Sequence, residues 1–186
     1  MKCVNYCNGY HTNVEKAIEE FGRIGVFSKL FEKYELARNE QSAAYSRISR
    51  PLKEILYQTD CKLENKKILD LGSGCCPPLD FLGRNKRTFE PWLCRTLNLI
   101  GAHPIGIDIG NLDKEEFEHY SLNLLDKNSL AFIPNKSIEI IHSRLLYSSP
   151  TLMDKYGFEK LYPDYLFPQL KRIAKSNGVY IFSDVN

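Results

Sequence analysis

The sequence predicts an α/β protein in which a doubly wound, mostly parallel sheet follows a set of N-terminal helices. Short apolar runs alternate with segments of helical period, which is typical of parallel strands joined by helical crossovers. The first run ends in a glycine-rich turn at residues 72–74, and the second ends in an acid, Asp108. In open α/β sheets ligands bind beyond the carboxyl ends of the strands, so these motifs predict a ligand site there.

Length and composition restrict the classes of protein to be considered. The chain has 186 residues, of which 43% are hydrophobic and 26% charged, a balance typical of globular domains. We expect residues 1–60 to form a helical extension that packs on the same domain, and residues 61–186 to form the ligand-binding sheet. The net charge of +2 gives no indication of nucleic acid as a partner, and a small-molecule substrate is expected instead.

A cytoplasmic location without membrane contact is expected. No apolar stretch approaches the length of about 18 residues needed to cross a bilayer, and the N-terminus lacks an apolar signal core. The six cysteines are then expected to be reduced thiols. Cys3, Cys7 and His11 stand four residues apart, but no fourth ligand completes a zinc set, so no metal site is predicted.

Apolar periodicity predicts the individual elements. Helices are predicted at residues 13–37, 42–57, 91–100 and 155–175. Gly22 and Gly25 are expected to break the first helix in two, and Pro51 to interrupt or kink the second. Strands are predicted at residues 66–71, 103–109, 119–125, 137–143 and 179–185, with a turn at residues 177–178 before the last.

The two motifs suit a nucleoside. The stretch DLGSG, residues 70–74, places glycines where the backbone must turn sharply and can approach a ligand without an intervening side chain. The stretch GIDIG, residues 106–110, places Asp108 at the end of the second strand, where a carboxylate can accept two hydrogen bonds from a ribose diol. Such partners would offset the cost of burying the carboxylate.

Four stretches together resemble the class I S-adenosylmethionine-dependent methyltransferases. ILDLGSG at residues 68–74 resembles the first motif of that family, and IGIDI at residues 105–109 resembles its second-strand acid. Residues 133–150 resemble the stretch through the fourth strand, and residues 170–185 the helix, turn and strand that follow. The resemblance implies a Rossmann-like sheet in the order 3-2-1-4-5, with S-adenosylmethionine across the strand tips and S-adenosylhomocysteine as the product.

The chain departs from the family pattern in three places. Cys76 replaces the third glycine of the first motif, and a surplus at residues 77–89 predicts a loop inserted before the next helix. The chain stops at Asn186, directly after the fifth strand, whereas the family continues with a sixth and a seventh strand. The resemblance therefore implies a shortened member or a fragment. Its open fifth-strand edge is expected to pair with a second copy in a homodimer, or to be covered by another segment.

The resemblance assigns the amino-acid end of the cofactor to the first motif. Asp70, Gly72 and Gly74 would shape that pocket, and Ser73 would donate a hydrogen bond from its backbone or hydroxyl group.

The nucleoside end is assigned to the second and third strands. Asp108 would hold the ribose, and Ile109 would pack on the adenine. Asn123 would accept a hydrogen bond from the adenine amino group, with Leu124 beside it. Asp126 competes with Asn123 for that role.

The fourth strand ends in His142, Ser143 and Arg144, where the family places groups that face cofactor and substrate. His142 is the candidate for catalysis or cofactor contact, and the alternative is a structural histidine at a strand end. Arg144 is a candidate for ligand contact, and the alternative is a surface ion pair.

The implied activity is transfer of a methyl group to a small-molecule acceptor by in-line displacement. The leaving group is a neutral thioether, so the absence of an evident catalytic triad does not count against this activity. The alternative is a non-catalytic binding module that keeps the same fold. A nicotinamide dehydrogenase is disfavoured, because GSGCCP from residue 72 has a proline where the dinucleotide fingerprint needs its third glycine.

Overall fold

The computed structural model describes residues 11–74, 89–110, 115–144 and 166–183. These form the helices α1 (His11–Arg23), α2 (Val26–Lys33), α3 (Arg38–Gln58), α4 (Trp92–Leu99) and α5 (Phe167–Ile173). They also form the strands β1 (Lys67–Leu71), β2 (His103–Asp108), β3 (Glu118–Ser121), β4 (Ile138–Arg144) and β5 (Ala174–Ser183). Cys3, Cys7, Cys76, most of the loop predicted at residues 77–89 and the first part of the helix predicted at residues 155–175 lie outside the described residues.

The five strands form one parallel sheet in the order β3-β2-β1-β4-β5, which confirms the predicted fold class and strand order. The strand order reverses between β1 and β4, and this reversal is where open α/β sheets bind ligands. β3 and β5 are the outer strands of the sheet. Pairing of β5 with a second copy stays a prediction.

Each face of the sheet is covered by its own apolar core. One core joins α1 to α4 with a few inward residues of β1 and β4, among them Ile68 and Ile140. The opposite core joins α5 and the segment after β3 with Leu69 and Leu71. Adjacent residues of a strand point to opposite faces, so Asp70 shares the face of Ile68, which α1 to α4 cover.

The N-terminal helices follow the sequence prediction except at the start of α3 and around Pro51. The predicted break between α1 and α2 is confirmed, and Gly25 has a left-handed backbone there, with φ 76°. α3 begins four residues earlier than predicted, at Arg38, where the carboxylate of Glu40 accepts a hydrogen bond from the amide of Ala37 at 2.9 Å. The helix continues through Pro51 without interruption. A proline removes only one backbone donor, and the burial of Pro51 in the core offsets that loss.

The junction of α5 with β5 differs from the prediction. α5 ends at Ile173 and β5 begins at once, so no separate turn precedes the strand. Instead the register shifts within β5: Ala174 pairs with Ile138, whereas Val179 pairs with Ile140. The extra residues form a bulge, and the predicted turn lies inside it. β3 is also shorter than predicted, because it ends at Ser121. None of the described helices has the length and apolar character needed to cross a membrane.

The two glycines at the α1–α2 junction yield a matched test of this local structure. Gly22→Ala should stabilise the protein by about 0.5–1 kcal/mol, because Gly22 is helical and a Cβ atom there meets no other atom within 4 Å. Gly25→Ala should destabilise it by about 1 kcal/mol, because an alanine disfavours the left-handed backbone although space is free. Urea denaturation of both variants measures the difference, and equal effects would contradict the assigned break.

Candidate functional site

A row of residues at one height crosses the sheet near its carboxyl edge. His119 of β3 stands beside Gly106 of β2, and Gly106 stands beside Asp70 of β1. Asp70 in turn stands beside His142 of β4, which is next to Ile181 of β5. On the face that α1 to α4 cover, the residues that precede this row in β1 and β4 are apolar. The row therefore marks where that face becomes polar.

Asp70 and His142 form a buried pair across β1 and β4. Nδ1 of His142 donates a hydrogen bond to Oδ1 of Asp70 at 2.7 Å, and both side chains are almost fully enclosed. The thiol of Cys94 on α4 donates to Oδ2 of Asp70 at 3.6 Å. Burial, with the neighbouring Asp70 carboxylate, raises the pKa of Cys94 well above its ordinary value, so this thiol is not a nucleophile at neutral pH.

The glycine loop is held against the end of β2. Gly72 and Gly74 have left-handed backbones, with φ 72° and 94°. The amides of Gly72 and Ser73 both donate to the carbonyl of Ile107, at 2.8 and 3.1 Å. A Cβ atom at residue 74 would lie 2.2 Å from the carbonyl oxygen of Phe89, so the chain's own backbone requires glycine there.

Asp108 closes this loop. Its Oδ2 accepts the amide hydrogen of Gly74 at 2.9 Å, and its Oδ1 accepts that of Ile109 at 2.8 Å. Burial raises the pKa of Asp108, whereas the hydrogen bonds from the amides of Gly74, Ile109 and Gly110 oppose that rise. The carboxylate predicted to bind a ribose is therefore also a structural tie between the tips of β1 and β2.

His119 lies beside the loop on the other side of Gly106. Its Nε2 is 3.1 Å from Oγ of Ser73, and a Cβ atom at Gly106 would come within 2.9 Å of both side chains. The glycine in β2 is thus needed to admit this contact. Burial lowers the pKa of His119 to about 4, although Gly74 and Asp70 act in the opposite direction, so the ring is neutral at pH 7.

The residues predicted to contact the adenine separate in the structure. Ile109 is exposed, at 42%, next to Asp108. Oδ1 of Asn123 accepts the amide hydrogen of Leu125 at 3.0 Å and so closes its own turn. Leu124 is buried in the core on the opposite face of the sheet. The structure therefore brings the predicted residues of β1, β2 and β4 together at one edge of the sheet. Asn123 is instead bonded within its own turn, and Leu124 is packed in the opposite core.

Sequence reasoning missed a buried cluster around Arg95 on α4. The guanidinium forms ion pairs with Glu90 and with Glu115, the latter at 2.6 Å. It also lies over the rings of Tyr34 and Trp92, with 3.9 and 4.5 Å to the centroids. Burial alone would lower the pKa of Arg95, but hydrogen bonds to Glu115 and Glu90 outweigh burial and raise it.

The Arg95 cluster ties the segment before α4 to the segment before β3, next to the strand tips. Glu90 lies directly before α4, and its backbone contacts the position of Gly74. Glu115 lies ahead of β3, and its carboxylate also accepts a hydrogen bond from Tyr34 at 3.4 Å. Burial and Glu115 raise the pKa of Tyr34 to about 12, so it stays protonated as a donor. The available signal in the sequence was an arginine on the apolar face of a short helix.

No family model matches the sequence, and no curated protein is significantly similar to it. Within the ranges that the structure describes, no three His, Cys, Asp or Glu side chains are grouped so that they could hold a metal ion.

The Arg95 cluster should dominate stability at the strand tips. Arg95→Met leaves Glu90 and Glu115 buried without their cation, so the free energy of unfolding should fall by about 3–5 kcal/mol. Arg23→Met is the matched control, because it removes an exposed pair with Glu20 and should change stability little. Urea denaturation provides the comparison. A similar, small change in both variants would show that the cluster does not hold the loops.

His119 should make stability depend on pH in a defined window. Its folded pKa of about 4 lies below its ordinary value of 6.5, so the unfolded state alone takes up the proton between these values. Stability contributed by the neutral ring should therefore be lost as the pH falls from 6.5 to 4. The loss is on the order of 1–2 kcal/mol, because solvent screens part of the penalty.

His119→Gln keeps a polar group beside Ser73 but does not titrate. The difference in unfolding free energy between wild type and variant should shrink or reverse toward low pH, as measured by urea denaturation from pH 7 to pH 4.5. A difference that stays constant across this range would contradict burial of a neutral His119.

Proposed function

We propose that this chain binds S-adenosylmethionine and transfers its methyl group to a small-molecule acceptor. The observation that carries the proposal is the bond from the amide of Gly74 to the carboxylate of Asp108, which joins a glycine loop to an acid at adjacent strand tips. The two motifs that resemble the methyltransferase family are thereby brought into contact. They lie beside the point where the strand order reverses.

The residues at the tip of β2 fit a nucleoside. The Asp108 carboxylate accepts the amide hydrogens of Gly74, Ile109 and Gly110, and its side chain is only partly buried, so about one of its four lone pairs is left. A ribose hydroxyl can donate to that lone pair. Ile109 presents an exposed apolar side chain immediately beside Asp108, which suits the face of a base. An acid and an apolar side chain in this order therefore match the two parts of the ligand.

A sulfonium methyl group supplies the electrophile of this reaction when the cofactor is bound, and its leaving group needs no proton. The contribution of the chain is then to bind, to align the acceptor and to exclude water. His142 is placed to take a proton from an acceptor that must lose one. Asp70 accepts a hydrogen bond from Nδ1 and so fixes the ring with Nε2 as the atom left to exchange that proton.

A non-catalytic binding module is the second candidate. It is favoured by the enclosure of His142, which is 1% exposed, and by the raised pKa of Cys94. Both groups are closed to bulk solvent, as an inert core would require. The two candidates differ in outcome: a module binds the cofactor, or another nucleoside, without consuming it in the presence of any acceptor.

The cofactor assignment is tested by calorimetry with S-adenosylmethionine, S-adenosylhomocysteine and NAD. The first two should bind and NAD should not. Asp108→Asn keeps an oxygen for the amide of Gly74 but removes the charge, so S-adenosylhomocysteine binding should weaken by about 1.5–3 kcal/mol. Asp60→Asn, which changes an exposed acid after α3, is the control and should leave the affinity unchanged.

Two results would overturn the assignment. A preference for NAD would indicate a different nucleotide. Equal affinities of wild type and Asp108→Asn for S-adenosylhomocysteine would leave Asp108 as a purely structural tie.

A further inference from the structure

Unpaired polar atoms concentrate near the carboxyl end of β4. Within the described part of the chain, Nε2 of His142, Nε and Nη1 of Arg144 and Oε2 of Glu54 are buried without a hydrogen-bond partner. A buried polar atom that stays unpaired costs about 1–3 kcal/mol, and more if it is charged. A stable fold seldom keeps several such atoms together, so their grouping is typical of a site that a ligand or bound water completes.

The side chains of His142 and Arg144 point to the same side of the sheet. His142 and Arg144 are two residues apart on β4, so their side chains leave the same face of the sheet, about 7 Å apart along the strand. Both belong to the strand next to the point where the order reverses, and Asp70 holds the ring of His142 from β1. Arg50 and Glu54 of α3 lie close enough to Arg144 to act on its charge. A small molecule that entered between the strand tip and α3 would therefore meet both unpaired groups.

The charges around Arg144 do not balance. Glu54 accepts a hydrogen bond from Arg50 through Oε1 at 3.1 Å, so the one carboxylate of this group already has a cation. Burial lowers the pKa of Arg144, and Arg50 adds to the effect while Glu54 opposes it. Arginine nevertheless stays protonated in proteins. Among the residues that the structure describes, two guanidinium groups thus share one carboxylate, and one positive charge is left for a ligand.

We propose that Arg144 binds the carboxylate of the methyl acceptor, and that Nε2 of His142 accepts a hydrogen bond from a neighbouring donor of the same molecule. A guanidinium offers parallel N–H groups that match a planar carboxylate, and the partly buried setting strengthens that pair. The identification of this ligand as the acceptor rests on the proposed function. The carboxylate site itself rests only on the contacts of β4 and α3.

Binding is tested with simple carboxylates and their neutral amides: benzoate against benzamide, and hexanoate against hexanamide. In thermal denaturation at millimolar concentration the carboxylates should raise the midpoint of the wild type, and the amides should not. Arg144→Met should weaken carboxylate binding by about 10- to 100-fold, and Arg144→Lys by less, because it keeps the charge without the planar fork. Lys53→Met removes an exposed charge from the same helix as Glu54 and should retain the wild-type response.

Stability of the free protein provides a second measurement. If Arg144 is a binding group, Arg144→Met removes a partly buried guanidinium whose Nε and Nη1 are unpaired, and should leave the midpoint unchanged or raised. If Arg144 is instead the structural partner of Glu54, both Arg144→Met and Glu54→Gln should lower it, which would overturn the proposal. Equal responses of wild type and Arg144→Met to benzoate, or no response of the wild type, would also overturn it.

Nucleoside probes separate this inference from the proposed function. If the wild type responds to carboxylates but binds neither S-adenosylhomocysteine nor 5′-methylthioadenosine, the methyltransferase proposal fails and the carboxylate site stands. If Arg144→Met weakens S-adenosylhomocysteine but not 5′-methylthioadenosine, the carboxylate belongs to the cofactor and the acceptor assignment fails. Inorganic phosphate that replaces benzoate with the same dependence on Arg144 would overturn the choice of a carboxylate.

Discussion

The hydrogen bond from the Gly74 amide to the Asp108 carboxylate closes the end of β1 onto the end of β2, at 2.9 Å. The two glycines of the loop can then keep left-handed backbones, because their amides are satisfied by Ile107 and Asp108. Without the carboxylate, the Gly74 amide would have to find another acceptor in a partly buried place. The position of the loop, and of everything packed on it, depends on this one acid.

The constraint continues outward from Gly74. The backbone at Glu90 is pressed against the loop, and Glu90 binds Arg95, which binds Glu115 ahead of β3. Tyr34 at the end of α2 covers the guanidinium. Segments that are distant in the chain are thus held to one strand tip by a buried cation. Its desolvation is offset by two carboxylates and two aromatic faces, and losing the cation would leave both carboxylates buried without that ion pair.

The elements that were predicted well are those whose signal is local. β1, β2 and β4 lie within one residue of their predicted bounds, because buried parallel strands are continuous apolar runs. The start of α3 was missed because residues 38–41 are polar, and the helix begins through the contact of Glu40 with Ala37. Of the two alternatives predicted at Pro51, the interruption was wrong because packing in the core outweighs one lost hydrogen bond, and the kink stays a prediction.

The candidate site was predictable in position and less so in chemistry. Asp70 and Asp108 were found because a carboxylate at the end of a buried apolar strand needs hydrogen-bond donors to offset its desolvation. The partners of Asp70 were not found, because His142 and Cys94 reach it only through strand register and the packing of α4. The burial of Leu124 follows from the path of the chain after β3, and the apolar periodicity of the sequence does not predict that path. Long-range pairing of single polar residues leaves no pattern in one sequence.

The two faces of the sheet also treat their polar groups differently. The core under α5 is built from apolar side chains of β1, β2 and β4. The face under α1 to α4 instead changes from apolar to polar along β1 and β4. Ile68 and Ile140 are apolar, whereas Asp70, His142 and Arg144, further along the same strands, are polar. Burying unpaired groups there lowers stability, and a fold under selection for stability alone would fill the same volume with apolar side chains. The polar groups stand at the reversal of strand order, and the unpaired atoms lie beside the paired Asp70. The free-energy cost of burying them therefore falls where a ligand can offset it.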